Sequence, residues 1–228
     1  MDINKLRIIW ICGLLFSSIV FLGCAGPKLY SVNMYYDADQ AVIPAHLKAD
    51  GKVSGAGISV AEFTDARRMD DQLVIGRVVK SDGTNILVFP KNVQATKAIP
   101  SGIKNYLRKA GYKVADKVEQ WNLKEENMPQ GDSKIIIGGN IEELEIYCRK
   151  GMPTNSYKSS IKLSVIFADM TKGKILYKTT VESSYSKEDV LFSENILGEQ
   201  AEIILADAIE KLFGDKAIAQ KLKEAMAQ

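Results

Sequence analysis

Residues 133–150 read SKIIIGGNIEELEIYCRK, and this stretch decides the fold. Ile135, Ile137, Gly139 and Ile141 occupy alternate positions, the period-two pattern of a strand with one buried face. Gly138-Gly139 predicts a bulge, and the phase slips before Leu144, Ile146 and Cys148. Two later segments repeat the alternation. In Ser159–Ala168 it is carried by Ile161, Leu163, Val165 and Phe167, and in Ile175–Ser183 by Ile175, Tyr177, Thr179 and Val181. Asp169–Lys174 is a turn between them, so the three segments predict an antiparallel meander.

Upstream, Ile58–Phe63, Val74–Val79 and Ile86–Phe89 are short β-rich runs separated by a charged loop and by the turn residues Ser81–Asn85. The period then changes. Ile99, Ile103, Tyr106, Leu107 and Ala110 recur at spacings of three and four, with Lys104, Asn105, Arg108 and Lys109 facing away. Gly111 stands where a helix-ending glycine belongs, and Pro100 predicts a broken start with the regular helix at 100–110. Tyr112–Ala115 restarts an extended segment, and Glu119–Asp132 is a polar insertion holding Trp121. Near the end, Ser193 is a candidate helix cap ahead of an apolar stripe through Leu197, Ala201, Ile204, Leu205, Ala208 and Leu212. Asp215 caps a shorter amphipathic tail with Ile218 and Leu222. The order strands, helix, strands, helix predicts an α+β fold, a mainly antiparallel sheet with two principal helices packed on one face.

The beginning of the chain has a different character. Lys5 and Arg7 precede an uncharged run from Ile8 to Leu22 that ends at Gly23-Cys24, the layout of a secretory leader. The run is about 15 residues, short of the ~20 that a membrane-spanning helix needs. Phe21-Leu22-Gly23-Cys24 resembles a bacterial lipobox, with Phe21 and Leu22 where that motif prefers leucine and a small residue. The resemblance implies a signal peptide over 1–23 and acylation of Cys24. Ala25, rather than Asp, after the cysteine implies the outer membrane, facing the periplasm. Residues 24–54, rich in Gly, Pro, Ala, Asp and Lys, predict a tether that lifts a single domain, 55–228, off the membrane. Within that tether Leu29–Tyr36 has the makings of an edge strand.

Lys and Arg number 30 and Asp and Glu 28, so nothing argues for a nucleic-acid partner or a polybasic membrane patch. With Cys12 in the leader and Cys24 acylated, Cys148 is the one remaining thiol, and no internal disulfide forms. His46 is the only histidine and lies in the tether, away from any evident nucleophile. Cys148, beside Arg149 and Lys150, reads as a buried strand cysteine or, failing that, a reactive thiol. Metal-ligand and phosphate-cradle spacings are absent, so neither a metal nor a cofactor is expected. Asp65, Arg67, Arg68, Asp70 and Asp71 form the densest charged cluster, read first as a solvated loop with internal ion pairs and next as a partner contact.

Further motifs extend the lipoprotein resemblance. An early strand leading to Asp65-Ala66-Arg67, then Ile75-Gly76, and Leu107-Arg108-Lys109-Ala110-Gly111-Tyr112-Lys113-Val114 at a helix end are similar to the YajG-like group of uncharacterised envelope lipoproteins. So are the Gly-broken strand, the tyrosine-bearing hairpin and the terminal Leu212-Phe213-Gly214-Asp215, and the likeness covers residues 55–215. That group brings no catalytic residues with it. The function expected is therefore non-enzymatic: an accessory or binding component of an envelope assembly, contacting an envelope protein through the sheet edge or the 64–72 loop. The alternative is a lipid or small-molecule carrier of an envelope transport system, which requires an apolar pocket between helix 100–110 and the sheet.

Overall fold

The computed structural model describes residues 28–49, 57–117 and 119–227; the leader and Cys24 lie outside them. Among these residues nine strands form one sheet. They are β1 (Tyr30–Val32), β2 (Gly57–Val60), β3 (Thr64–Asp65), β4 (Gly76–Val79), β5 (Asn85–Pro90), β6 (Lys113–Val114), β7 (Ser133–Arg149), β8 (Asn155–Asp169) and β9 (Lys174–Asp189). Three α-helices accompany them: α1 (Ala95–Lys109), α2 (Glu194–Gly214) and α3 (Lys216–Ala227).

The α+β class holds, but the sheet is mixed rather than mainly antiparallel. β7, β8 and β9 form the expected meander, with Ile137 opposite Phe167 and Leu163 opposite Val181. Along its other side β7 takes three short strands in tandem, all parallel to it: β2 at 133–137, β3 at 140–141 and β4 at 146–149. β6 adds in parallel to β2, and β1 in parallel to β5. Among the short upstream strands only β4 and β5 form the antiparallel hairpin that their turn implies, with Gly83 at φ +84°.

The phase slip in β7 is real and sits at Glu142, between Ile141 and Glu143. The predicted bulge at Gly138-Gly139 is not there, since both pair regularly with Ile166 and Val165. Those glycines leave room for neighbours instead: a Cβ on Gly138 would lie 2.9 Å from the Trp121 ring, and one on Gly139 2.6 Å from the ring of Phe63.

One large core joins Ile135, Ile137, Ile141, Leu144, Ile146 and Cys148 of β7 and the odd-numbered apolar residues of β8 to buried residues from all three helices. The opposite face carries a small cluster around Trp121, Ile136, Ala61 and Ala168, to which no helix contributes. The 119–132 insertion is thus a lid over part of the second face: the Trp121 indole N–H donates to the Lys124 carbonyl at 2.9 Å within it, and it is pinned where Gln120 donates to Glu62 and Glu125 accepts from the Ile175 N–H.

α1 is continuous from Ala95 and is not broken at Pro100. A proline at 100 leaves the Thr96 carbonyl without its helical partner, and the Phe63 N–H occupies it at 3.1 Å, so tertiary packing absorbs the defect. The helix end is as expected: Gly111 at φ +95°, with Gly111 N–H to Arg108 O and Tyr112 N–H to Leu107 O. Lys104 does not face away. It is buried, its ammonium donating to the Asp116 and Lys117 carbonyls, and desolvation, with Arg108 nearby, lowers its pKa. Ser193 caps α2 by accepting from the Ile196 N–H, and Asp215 accepts from Ala217 N–H at the start of α3.

The described part of the expected tether, 28–49, packs on the domain. Tyr30, Val32, Met34 and Tyr36 are buried on alternate positions, Leu47 is fully buried, and Tyr36 donates to Glu210 of α2. Strand alternation continues past β1, and the apolar face it creates has nowhere to go but the core.

Candidate functional site

The 66–75 loop owes its shape to β7. β3 ends level with Ile141 and β4 begins level with Ile146, so on the side away from β8 the stretch of β7 between them has no strand beside it. Ala66 N–H closes the ladder at Ile141 O, and Ile146 N–H reopens it at Ile75 O. Arg67 fills the gap. Its guanidinium donates through Nη1 to the carbonyls of Leu144 and Val74, through Nη2 to Gln72 O and the Asp65 carboxylate, and through Nε to the same carboxylate. All five N–H groups are engaged, the Asp65 contact is 2.7 Å, and the two side chains are only 4% and 7% exposed.

This separates the five charged residues picked out from the sequence. Asp65 and Arg67 form the internal ion pair of the first reading and are too buried to meet a partner. Arg68, Asp70 and Asp71 point outward beside Met69 and Leu73, exposed by 40% and 49%. The Asp71 carboxylate folds back onto the Leu73 N–H, which tightens the turn. A charged pair thus holds a loop whose outer side chains are mixed, charged and apolar.

Next to the loop, the half of the second sheet face not covered by Trp121 is bare and polar. Strand register sets Arg77, Tyr147, Lys158 and Ser186 in one row and Glu145, Ser160 and Ser184 in the next, lining a depression of about 600 Å³. Arg77 pairs with Glu145 at 3.0 Å and lies 5.5 Å from the Tyr147 ring centre. These residues were not singled out from the sequence, although their strict alternation with the core residues was visible there.

The remaining candidates resolve differently. Ile99, Ile103 and Leu107 are completely buried in the core, so the pocket that a lipid or small-molecule carrier requires between α1 and the sheet is filled. His46 Nε2 is buried, and among the described residues no nucleophile is hydrogen-bonded to it. Among the described residues no three His, Cys, Asp or Glu side chains gather as a metal-binding group. Cys148 is fully buried; burial, eased by a Tyr157 hydrogen bond and Lys150, pushes its thiol up to about 11. It is the buried strand cysteine of the first reading, not a reactive one. Natively produced protein is expected to show no thiol reacting with an aqueous disulfide reagent until denaturant is added, when Cys148 titrates. A thiol that reacts at once would come from an unacylated Cys24 or from Cys12 of an uncleaved leader.

No family model matches the chain, and no curated protein matches it. Among solved structures it is similar to a Xanthomonas campestris protein described as DUF330, with a TM-score of 0.53 and 13% identity over 86% of this chain and 99% of that one. A minor lipoprotein of Acinetobacter baumannii follows at TM-score 0.38 and 11% identity, covering 72% of this chain and 92% of that one. A lipoprotein of Neisseria meningitidis gives 0.33 and 12%, covering 70% and 97%. The Xanthomonas likeness establishes a shared α+β fold and nothing more, and no argument rests on the other two. Among the described residues no helix is long and apolar enough to cross a membrane.

Proposed function

We propose that this chain is a lipid-anchored protein of the bacterial envelope, acylated at Cys24 and held at the outer membrane, and that it works by binding an envelope protein rather than by catalysis. The leader supports the anchor: two cations, an uncharged run from Ile8 to Leu22, and Cys24 after Gly23. The YajG-like resemblance over 55–215 agrees with that location. The observation that carries the binding role is the loop built on Arg67. A guanidinium with every donor occupied holds Arg68, Met69, Asp70 and Leu73 outward in one geometry, at the rim of a bare polar sheet face. Binding then loses little conformational entropy in ordering the loop.

A photo-crosslinking residue at Met69 or Leu73, in cells that make the protein natively, is expected to give one discrete adduct, lost when Arg68→Glu and Asp71→Lys are combined. Absence of any adduct at both positions, or an adduct unchanged by the charge reversals, would remove the loop as the contact.

A further inference from the structure

We propose that the end of the domain formed by the β7–β8 turn, the β9–α2 connection and the start of β1 rests directly on the phospholipid bilayer. The proposal rests on the anchor at Cys24. It follows from where the described chain begins. Lys28 is four residues from Cys24, and a fully extended chain covers at most ~3.6 Å per residue, so the lipid-bearing residue and the domain are within about 14 Å of each other. Two residues further on, Tyr30 is already locked in place, its ring 5.2 Å from that of Phe192 and its strand paired to β5. No free tether remains to lift the domain away.

The end held at the membrane is the one that suits it. β1 runs opposite to β7, which sets Lys28 and Leu29 level with the close of β7. The β7–β8 turn beyond carries Met152, exposed by 98%, and the β9–α2 connection carries Val190 and Leu191, exposed by 72% and 71%; Leu29 adds 53%. Asn155 ties the two segments by donating to the carbonyls of Asp189 and Val190, and the Tyr157 hydroxyl donates to Leu191 O. Lys150, 3.5 Å from the Phe192 ring centre, and Lys28, 5.2 Å from that of Tyr30, stand around this apolar tip, with Arg149 exposed beside them. Two of the acidic groups nearby are engaged internally: Glu188 accepts from Thr154, and Asp189 accepts from the Leu191 N–H and pairs with Lys187; Glu194, in the first turn of α2, is exposed. Large apolar side chains more than half exposed and ringed by cations match the headgroup and upper acyl region of a bilayer, into which interfacial elements dip by ~5–10 Å.

The test uses full-length, natively acylated protein in vesicles of phosphatidylethanolamine and phosphatidylglycerol with brominated acyl chains. An environment-sensitive fluorophore is placed on Met152→Cys, on Leu191→Cys and, as a distant control, on Lys174→Cys at the far end of β9. Buried Cys148 takes no label. Blue-shifted, bromine-quenched emission is expected at 152 and 191, and water-like, unquenched emission at 174. Intact mass on the same sample reports the lipid. An acylated protein with a water-like probe at either 152 or 191 overturns the membrane contact alone, whereas an unacylated mass overturns the anchor and this inference with it.

Discussion

Replacing Arg67 with methionine is expected to cost about 3–5 kcal/mol of stability, the range seen when one partner of a buried ion pair is removed. Methionine fills much of the same volume but donates nothing. The Asp65 carboxylate is then left buried and unpaired, and the carbonyls of Leu144, Val74 and Gln72 lose their only side-chain donor. Arg67→Lys keeps the charge but offers a point ammonium where a planar fork is needed, so it should recover only part of the loss. Removing both charges, Asp65→Leu with Arg67→Met, should come closer to wild type than Arg67→Met alone. Urea unfolding of the detergent-solubilised full chain measures all three. An Arg67→Met variant within about 0.5 kcal/mol of wild type, the usual range for a surface substitution, would show that the guanidinium does not hold the loop.

The second large effect is expected at Gly76. A methyl group there would sit 2.0 Å from the Ile146 carbonyl oxygen and 2.7 Å from its carbon, both backbone atoms of the central strand. No side chain can swing aside to relieve that contact. β4 must move off β7, and β4 is what joins β5 and β1 to the rest of the sheet. Overpacking costs of ~1–3 kcal/mol, added to lost ladder hydrogen bonds at ~1 kcal/mol each, put Gly76→Ala at about 3 kcal/mol or more. Gly198, inside α2 with nothing within 4 Å of its would-be Cβ, is the matched control: Ala there should stabilise by up to ~1 kcal/mol. Thermal unfolding of the two variants side by side separates close backbone approach from helix propensity. Equal and small effects would sink the account of Gly76.

The elements that could be read in advance are those whose pattern is local and long. The β8–β9 hairpin, the stripe on α2, the Ser193 cap and the Gly111 end each state their structure within one or two turns of sequence. The parallel half of the sheet could not be read that way, because β2, β3 and β4 are two to four residues long and their register is written only in β7, some 70 residues later. Arg67 was hidden for the same reason: the Asp65 pairing is local, but the burial also needs the Leu144 carbonyl, 77 residues away, and a gap in the strand ladder beside it. The packing of 28–49 was half legible. Tyr30, Val32, Met34 and Tyr36 alternate as a strand should, but Pro, Gly and Asp around them outweighed the pattern. Pro100 misled because the Phe63 N–H, supplied from outside the helix, occupies the carbonyl it leaves free.

β7 also governs the order in which the sheet assembles. Before residue 133 is made, the described strands can offer only two separate ribbons, β1-β5-β4 and β6-β2, with no ladder between them. Short ribbons of two or three strands are marginal in water, and most of this sheet's pairings join residues far apart in the sequence, which slows closure. A chain emerging N-terminus first therefore stays loose over its leading half and condenses in one late step. That timing suits the export proposed above, in which the polypeptide is threaded unfolded through a narrow channel before it folds on the other side.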